Sequence, residues 1–167
     1  VYIDKRALEK LGLQYREEFH AIAARIFAQV GHEFNISSPK QLGVVLFDEL
    51  KISNGTIKKT ATGARTTREE ELAKMRDIHP IIGEILAHRE LHKLLTTYVE
   101  KMAQLIGADG RLHAEFLQAG TTTGRMSSQN PNMQNIPIRT EYGKRIRNAF
   151  TAPQGFLLAS IDYSQIE

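Results

Sequence analysis

Apolar residues recur every three or four positions along two long stretches of the chain. The first stretch runs from Leu8 to Val30, after Asp4, which suits the N-cap position of a helix, and before Gly31. This spacing gives one apolar face per helical turn and predicts a long amphipathic helix. The second stretch predicts a helix that begins at Pro80. Its apolar stripe consists of Ile82, Leu86, Leu91, Leu95, Tyr98, Met102 and Leu105.

Shorter segments separate the two long helices. Ser38 and Pro39 predict an N-cap followed by proline at the first position of a short helix. Thr67 and Glu70 fit a capping box that opens another short helix. Residues 51–68 lack an apolar period and carry five basic side chains with no acidic one, which predicts an exposed basic loop. The order of these segments predicts an antiparallel helical hairpin with a basic tip.

The period of the apolar residues changes after residues 107–110. Residues 111–118 alternate polar and apolar side chains, which predicts a half-buried strand, and a second extended run is expected at 125–128. Residues 129–137 contain two Pro, three Asn and two Gln, a composition that favours irregular backbone. The apolar run 156–161 predicts one buried strand. The whole pattern predicts an α+β fold, with long antiparallel helices followed by short antiparallel strands.

The amino-acid composition excludes some classes of protein but does not identify a function. The 167 residues are 41% hydrophobic and 25% charged, which is ordinary for one globular domain or slightly more. The chain has no Cys, which excludes disulfides and cysteine-based zinc sites, and it has no apolar run of membrane-spanning length. Its net charge is +3, and the excess of positive charge is concentrated at 51–68 and at 111–150. The second of these stretches contains six basic and two acidic residues. Concentrated positive charge indicates a polyanionic partner, and a solvated basic loop is the alternative.

Two sets of side chains are candidate metal ligands. His88 and His92 share a helical face, but no third ligand is evident, so zinc is not predicted. Asp162 is a single carboxylate at the end of the apolar run 156–161. A lone buried carboxylate is costly unless it is paired or bound to a cation. From this pattern Asp162 is either a turn residue or a metal ligand.

Short motifs along most of the chain resemble DNA polymerase family A, the bacterial DNA polymerase I type. In the second part these motifs are Gly110–His113, Thr122–Ser128, Pro131–Arg139 and Asp162–Glu167, in the order and spacing of that family. The last of them resembles the family's motif A. Upstream, Phe34–Leu42, His79-Pro80 and Arg89–Leu91 resemble the family's thumb. The resemblance implies a thumb at residues 1–106 with a basic tip at about 51–68, and the start of a palm at residues 107–167.

The resemblance implies a DNA-directed DNA polymerase that extends a primer on a template in replication or repair. In the complete protein, phosphoryl transfer would use two Mg²⁺ ions and deoxynucleoside triphosphates. Asp162 resembles the catalytic carboxylate that binds metal, the backbone carbonyl of Tyr163 resembles a second ligand, and Glu167 resembles the side chain that selects the sugar. The metal site is incomplete in this chain, which is therefore predicted to be inactive alone.

The resemblance also implies residues that bind primer–template DNA. Arg125 resembles the arginine that enters the minor groove, whose acceptors are nearly independent of sequence. The side chains implied to contact the DNA backbone are Ser127, Asn132, Asn135 and Arg139 in the palm, with Lys58, Lys59 and Arg65 at the thumb tip. A monomer without a membrane partner is expected, in the cytoplasm of a bacterial cell or a virus-infected host cell.

Two departures and two alternatives accompany this interpretation. Asn130 stands where the family commonly has an acidic residue. The family usually breaks its helix after the position of Tyr98, whereas the second long helix predicted here continues. One alternative is a non-catalytic primer–template DNA-binding module that keeps only the thumb and part of the palm. The other is a family A RNA polymerase, which is disfavoured because that branch has small residues where this chain has Ser164 to Glu167.

Overall fold

The computed structural model describes residues 1–53, 63, 65–161 and 163. Within these residues the chain has the predicted α+β fold, in which helices accompany two small antiparallel sheets of two strands each. No described helix is long and apolar enough to cross a membrane.

The chain divides into two compact units, which are described separately below. One unit comprises Tyr15–Lys93, and the other comprises Val1–Gln14 together with Leu94–Glu167. Helix α1 (Lys5–Val30) contributes residues to both units.

The unit of Tyr15–Lys93 is helical. After α1, its helices are α2 (Pro39–Val44), which continues as a π-helical turn over Val45–Glu49, then α3 (Glu69–Ala73) and α4 (Pro80–Lys93). Helix α1 ends before Gly31, whose φ of 88° is the left-handed conformation that commonly terminates helices. The Ser38 hydroxyl accepts a hydrogen bond from Gln41 N, and Pro39 is the first residue of α2, so the predicted cap is confirmed.

The antiparallel hairpin of α1 and α4 is confirmed by contacts between side chains. The Arg25 guanidinium donates to both carboxylate oxygens of Glu84, over 2.9 and 2.8 Å. The Phe19 ring stacks on the ring of His88, with 4.1 Å between centroids. From one pair to the next, the residue number decreases along α1 and increases along α4, so the two helices run antiparallel. The fully buried side chains of this unit include Tyr15, Ile22, Ile26, Leu42, Leu46, Leu72, Met75, Ile81, Ile82, Ile85 and Leu91.

The other unit combines the end of the second long helix with the two sheets. Its elements are β1 (Tyr2–Ile3), the first residues of α1, a π-helical turn (Leu94–Val99), α5 (Glu100–Leu105), β2 (Glu115–Leu117), β3 (Ser127–Gln129), α6 (Glu141–Arg147) and β4 (Phe150–Thr151). Strands β1 and β4 pair antiparallel, and β2 pairs antiparallel with β3 so that Phe116 lies opposite Ser128. The Asp4 carboxylate accepts from Ala7 N over 2.9 Å and confirms the predicted N-cap of α1.

The strand prediction for residues 156–161 is wrong in the described structure. These residues form no strand, and the side chains of Phe156, Leu157 and Ile161 are 71%, 94% and 87% exposed. A strand needs a neighbour that accepts and donates backbone hydrogen bonds. No such neighbour pairs with 156–161 among the described residues, so an apolar composition alone does not make a strand here.

Two further local predictions are corrected. The predicted half-buried strand at 111–118 is reduced to β2, all three residues of which are exposed, while Leu112 is buried and forms an isolated bridge with Ile106. The predicted capping box is absent, because α3 has Arg68 at its N-cap and no side-chain cap. The Thr67 hydroxyl instead accepts a hydrogen bond from the Arg89 guanidinium over 3.4 Å.

Candidate nucleic-acid interface

Four of the predicted DNA-binding side chains lie on one stretch, residues 127–139, which we call the polar loop. It begins in β3 and ends just before α6. Asn132, Asn135 and Arg139 are exposed, while Ser127 is half-buried in β3. Asn132 and Asn135 therefore lie on irregular backbone, as the composition of 129–137 predicted, and Arg139 follows them, while Ser127 lies in the strand that leads into it.

Hydrogen bonds within the polar loop converge on Ser128, which is 4% exposed. Its hydroxyl accepts from Met133 N over 3.0 Å and from Gln134 N over 3.3 Å, and it lies 3.2 Å from Asn132 Oδ1. Asn132 Oδ1 also accepts from Gln134 N over 3.1 Å, and Gln134 Nε2 donates to the Met126 carbonyl over 3.1 Å. These bonds supply the backbone groups of an irregular segment with the partners that a regular ladder would otherwise provide.

Helices support the polar loop at two points. The Tyr98 hydroxyl donates to the Asn135 carbonyl, and burial raises the pKa of Tyr98, so this hydroxyl keeps its proton. Helix α6 begins with Thr140 as its N-cap, whose side chain accepts from Gly143 N over 3.1 Å. A Cβ on Gly143 would lie 2.4 Å from the Pro137 carbonyl oxygen, so only glycine lets α6 approach the loop this closely.

Positive charge surrounds the second half of the polar loop. A shallow depression of about 360 Å³ is lined by the loop from Gln134 onward, with Arg139 and Arg147 on its border. Lys144 and Arg145 follow on α6, and Lys144 pairs with Glu141. Guanidinium and amide groups in one open depression suit the oxygen acceptors of a nucleic-acid backbone.

Arg125 precedes the polar loop and its side chain is exposed. The Thr121 hydroxyl donates to the Arg125 carbonyl over 2.7 Å, which closes the turn before it. Gly124 has a φ of 74°, a left-handed conformation that glycine adopts without a steric penalty. The turn thus fixes the Arg125 backbone while its guanidinium stays accessible.

A second basic surface lies within the unit of Tyr15–Lys93, in an open cleft of about 1250 Å³. The cations that line it are Lys40, Arg65, Arg68 and Arg89. The Arg65 guanidinium forms an ion pair with Asp48 and lies 5.0 Å from the centroid of the Phe47 ring. Arg89 is half-buried and donates to the Thr67 carbonyl, and burial lowers its pKa. Arg65 is predicted to lie at the thumb tip. In the structure it borders the cleft, and it contacts Asp48 and Phe47 of the same unit.

Several predicted site residues lie outside the described residues. These are Lys58, Lys59, Asp162 and Glu167. Tyr163 is described, and its side chain is 76% exposed. Among the described residues, no group of three or more His, Asp or Glu side chains could hold a metal ion. The roles given to all of these residues stay predictions.

The sequence does not reveal the contacts of three residues that organise these surfaces, namely Ser128, Tyr98 and Arg89. Tyr98 fits the apolar stripe of the second long helix, but its hydroxyl reaches Asn135, 37 positions along the chain. Arg89 interrupts the apolar pattern of α4, which is a signal that could have marked it as a buried cation with a partner. Ser128 carries no comparable signal, because a serine in a polar segment is ordinary on any surface.

The fold is similar to part of a polymerase domain, as comparison with solved structures indicates. The chain is similar to the POL domain of Pol1 from M. smegmatis, which was solved in a complex with DNA primer-template and dNTP. The TM-score is 0.84 at 40% sequence identity, over 93% of this chain and 27% of that one. The chain belongs to DNA polymerase family A, whose family model matches residues 5–167.

Curated relatives are bacterial DNA polymerase I proteins. The chain is 48% identical to the thermostable DNA polymerase I of Thermus aquaticus, over all of this chain and 20% of that protein. It is 46% identical to the DNA polymerase I of Synechocystis, over all of this chain and 17% of that protein. The chain thus spans about a fifth of the length of the curated relatives it matches.

Proposed function

We propose that this chain is the thumb and the first part of the palm of a DNA-directed DNA polymerase. The observation that carries the proposal is the 40% identity, at a TM-score of 0.84, to a polymerase domain solved with primer-template and dNTP. Residues 1–106 form the thumb in this proposal, and residues 107–167 form the start of the palm, up to motif A. The complete protein extends primers in bacterial replication or repair, as a monomer in the cytoplasm.

In this proposal both basic surfaces contact the backbone of primer–template DNA. The polar loop supplies Ser127, Asn132, Asn135 and Arg139, and Arg125 enters the minor groove beside it. The exposure of Asn132, Asn135 and Arg139 supports this role, because hydrogen bonds to phosphate and sugar position a protein without reading sequence. At the thumb tip Lys58, Lys59 and Arg65 attract the duplex electrostatically, so affinity falls as salt concentration rises.

The metal of the complete enzyme is proposed to be Mg²⁺, held in part by this chain. The family implies metal-dependent catalysis. The Asp162 carboxylate and the Tyr163 backbone carbonyl are oxygen donors, which are the ligands that Mg²⁺ prefers. The described neighbours of Asp162, Ile161 and Tyr163, are exposed. When bound, two such ions lower the pKa of the primer hydroxyl and offset charge that develops on the phosphates.

Two residues of motif A then have separate roles in the proposal. Asp162 holds metal at the reacting atoms, and its loss should remove phosphoryl transfer. Glu167 occupies the space beside the 2′ position of the incoming sugar and excludes a 2′-hydroxyl. Deoxynucleoside triphosphates are therefore the proposed substrates.

Primer extension by a longer protein tests the proposal. This chain is joined to the remainder of a family A polymerase, and extension is compared for the parent and for Asp162→Ala. We expect extension by the parent and a loss of at least about 1,000-fold in Asp162→Ala, because transition-state charge loses its metal ligand. Binding of primer–template should survive in both. Glu167→Ala is the matched control, since it should keep extension and admit ribonucleotides more readily.

Equal extension rates for the parent and Asp162→Ala would contradict the proposal. Tight primer–template binding without extension by the longer parent protein would favour the alternative of a non-catalytic DNA-binding module.

A further inference from the structure

The Ser128 hydroxyl uses its full hydrogen-bonding capacity inside the polar loop. A serine hydroxyl has one proton to donate and two lone pairs to accept with. Met133 N donates to it over 3.0 Å, and Gln134 N shares its one proton between Ser128 Oγ at 3.3 Å and Asn132 Oδ1 at 3.1 Å, so both lone pairs meet N–H groups. Its proton therefore goes to Asn132 Oδ1, 3.2 Å away. The side chain is only 4% exposed, so water does not readily substitute for these partners.

These bonds decide which end of the Asn132 carboxamide faces the loop. Both Ser128 Oγ and Gln134 N donate toward this carboxamide, over 3.2 and 3.1 Å. Only the oxygen can accept from two donors, so Oδ1 faces inward. Nδ2 then points away from these donors, and Asn132 is exposed. The loop consequently presents two amide N–H donors outward at a fixed position.

We infer that Ser128 is a positioning residue for DNA binding, because it holds the Asn132 carboxamide with its Nδ2 donors toward acceptor oxygens of primer–template DNA. The inference rests on the proposed function, since Asn132 is a DNA-contacting residue only there. Ser128 itself is buried and acts through Asn132. The orientation is useful because a carboxamide turned by half a rotation would present an acceptor, which a phosphate oxygen cannot bind.

Removing the hydroxyl should therefore affect binding through Asn132. In Ser128→Ala the Asn132 carboxamide loses one of the two donors that orient it, and its outward donor is no longer fixed. We expect the Kd for primer–template DNA to rise about fivefold to tenfold, the typical value of one hydrogen bond of this kind. Asn132→Ala should raise the Kd by a similar factor.

A double-mutant cycle separates positioning from general destabilisation. Fluorescence anisotropy with a labelled primer–template duplex at low salt gives the Kd of Ser128→Ala, of Asn132→Ala and of the double variant. We expect the double variant to bind like Asn132→Ala alone. Thr140→Ala is the matched control, because it removes a hydrogen bond at the other end of the same segment without touching Asn132. Its effect should multiply with that of Asn132→Ala.

Two further measurements keep the inference testable if Ser128→Ala perturbs the loop. Asn132→Asp keeps an acceptor for Ser128 and Gln134 but has no outward donor, so it should weaken DNA binding at least as much as Asn132→Ala. Amide hydrogen exchange at Met133 and Gln134 should stay slow in Asn132→Asp and become fast in Ser128→Ala. Parental affinity in Ser128→Ala, or effects of Ser128→Ala and Asn132→Ala that multiply, would overturn the inference.

Failure of the proposed function gives a different result. If the proposed contact with DNA is what fails, the unsubstituted chain itself does not bind primer–template DNA at low salt, and the inference falls with it. Failure of the inference alone leaves parental binding intact and removes only the coupling between Ser128 and Asn132.

Discussion

The second long helical stretch and the segment after it are each stabilised mainly by a different kind of interaction. In the stretch 80–105, Ile82, Ile85 and Leu91 have no exposed surface. In the segment 107–161, Ile146 is also fully buried, but Phe116 and Leu117 on β2 are 56% and 40% exposed, and the buried Ser128 takes part in three hydrogen bonds. The difference teaches that this chain uses apolar burial to set its framework and hydrogen bonds to shape its candidate interface.

The largest expected effect comes from the same change made in both regions. Leu95 is 5% exposed and lies on the apolar stripe of the helical stretch, whereas Leu117 is 40% exposed in β2. Leu95→Ala should lower the free energy of unfolding by about 2–5 kcal/mol, because it removes buried methyl groups and leaves a cavity. Leu117→Ala should change it by about 0.5 kcal/mol or less. Urea unfolding followed by circular dichroism measures both. Equal losses would show that the two regions do not differ in the way proposed.

The next effect concerns the buried histidine of the hairpin. His88 is 4% exposed, stacks on Phe19, and has His92, Arg89 and His20 as neighbouring cationic groups. Burial is the main cause that lowers the pKa of His88 from 6.5 to about 4, and the three neighbouring groups contribute in the same direction. Between these two pH values the unfolded chain binds more protons than the folded chain. The contribution of neutral His88 to the free energy of unfolding is therefore fully present above pH 6.5 and is lost as the pH falls toward 4.

The pH prediction has a size and a control. The loss between pH 6.5 and 4 should reach about 3 kcal/mol, and His88→Phe should remove it because phenylalanine does not titrate. In the segment 107–161, His113 lies 2.8 Å from Asp109 and lowers the pKa of that carboxyl below 3.8. That pair contributes stability above pH 3.8, which is lost only as the pH falls through the lower folded value. A profile between pH 4 and 6.5 that is the same in His88→Phe as in the unsubstituted chain would contradict the assignment to His88.

The framework could be predicted from the sequence because its signal repeats. Leu8, Tyr15, Ile22 and Ile26 are buried as the three-and-four spacing of α1 requires, and the caps at Asp4 and Ser38 follow from single side chains next to that pattern. The strand expected at 156–161 had no such repetition. An apolar run predicts that a segment is buried, but it does not indicate which neighbouring element covers it.

The candidate interface could be predicted only in outline. Motifs located the polar loop, and its Pro and Asn content indicated irregular backbone. The roles of Ser128 and Tyr98 depend on partners that the loop itself places, so no periodicity or composition reveals them. The charge count of residues 51–68 also omits a partner, because Asp48, just before that stretch, forms an ion pair with Arg65.

The smallest expected effect is the contribution of an exposed ion pair to the hairpin. Arg25 and Glu84 form two hydrogen bonds between α1 and α4, but their side chains are 51% and 26% exposed. Water screens such charges, so a double-mutant cycle of Arg25→Ala and Glu84→Ala should give a coupling of about 0.2–1 kcal/mol. Raising NaCl from about 0.1 M to about 1 M should reduce it further. The loss in Leu95→Ala should not shrink with salt in this way, because apolar burial is not screened. A coupling above about 2 kcal/mol would mean that charge, and not apolar packing, fixes the antiparallel helices, and the contrast between the two regions would have to be abandoned.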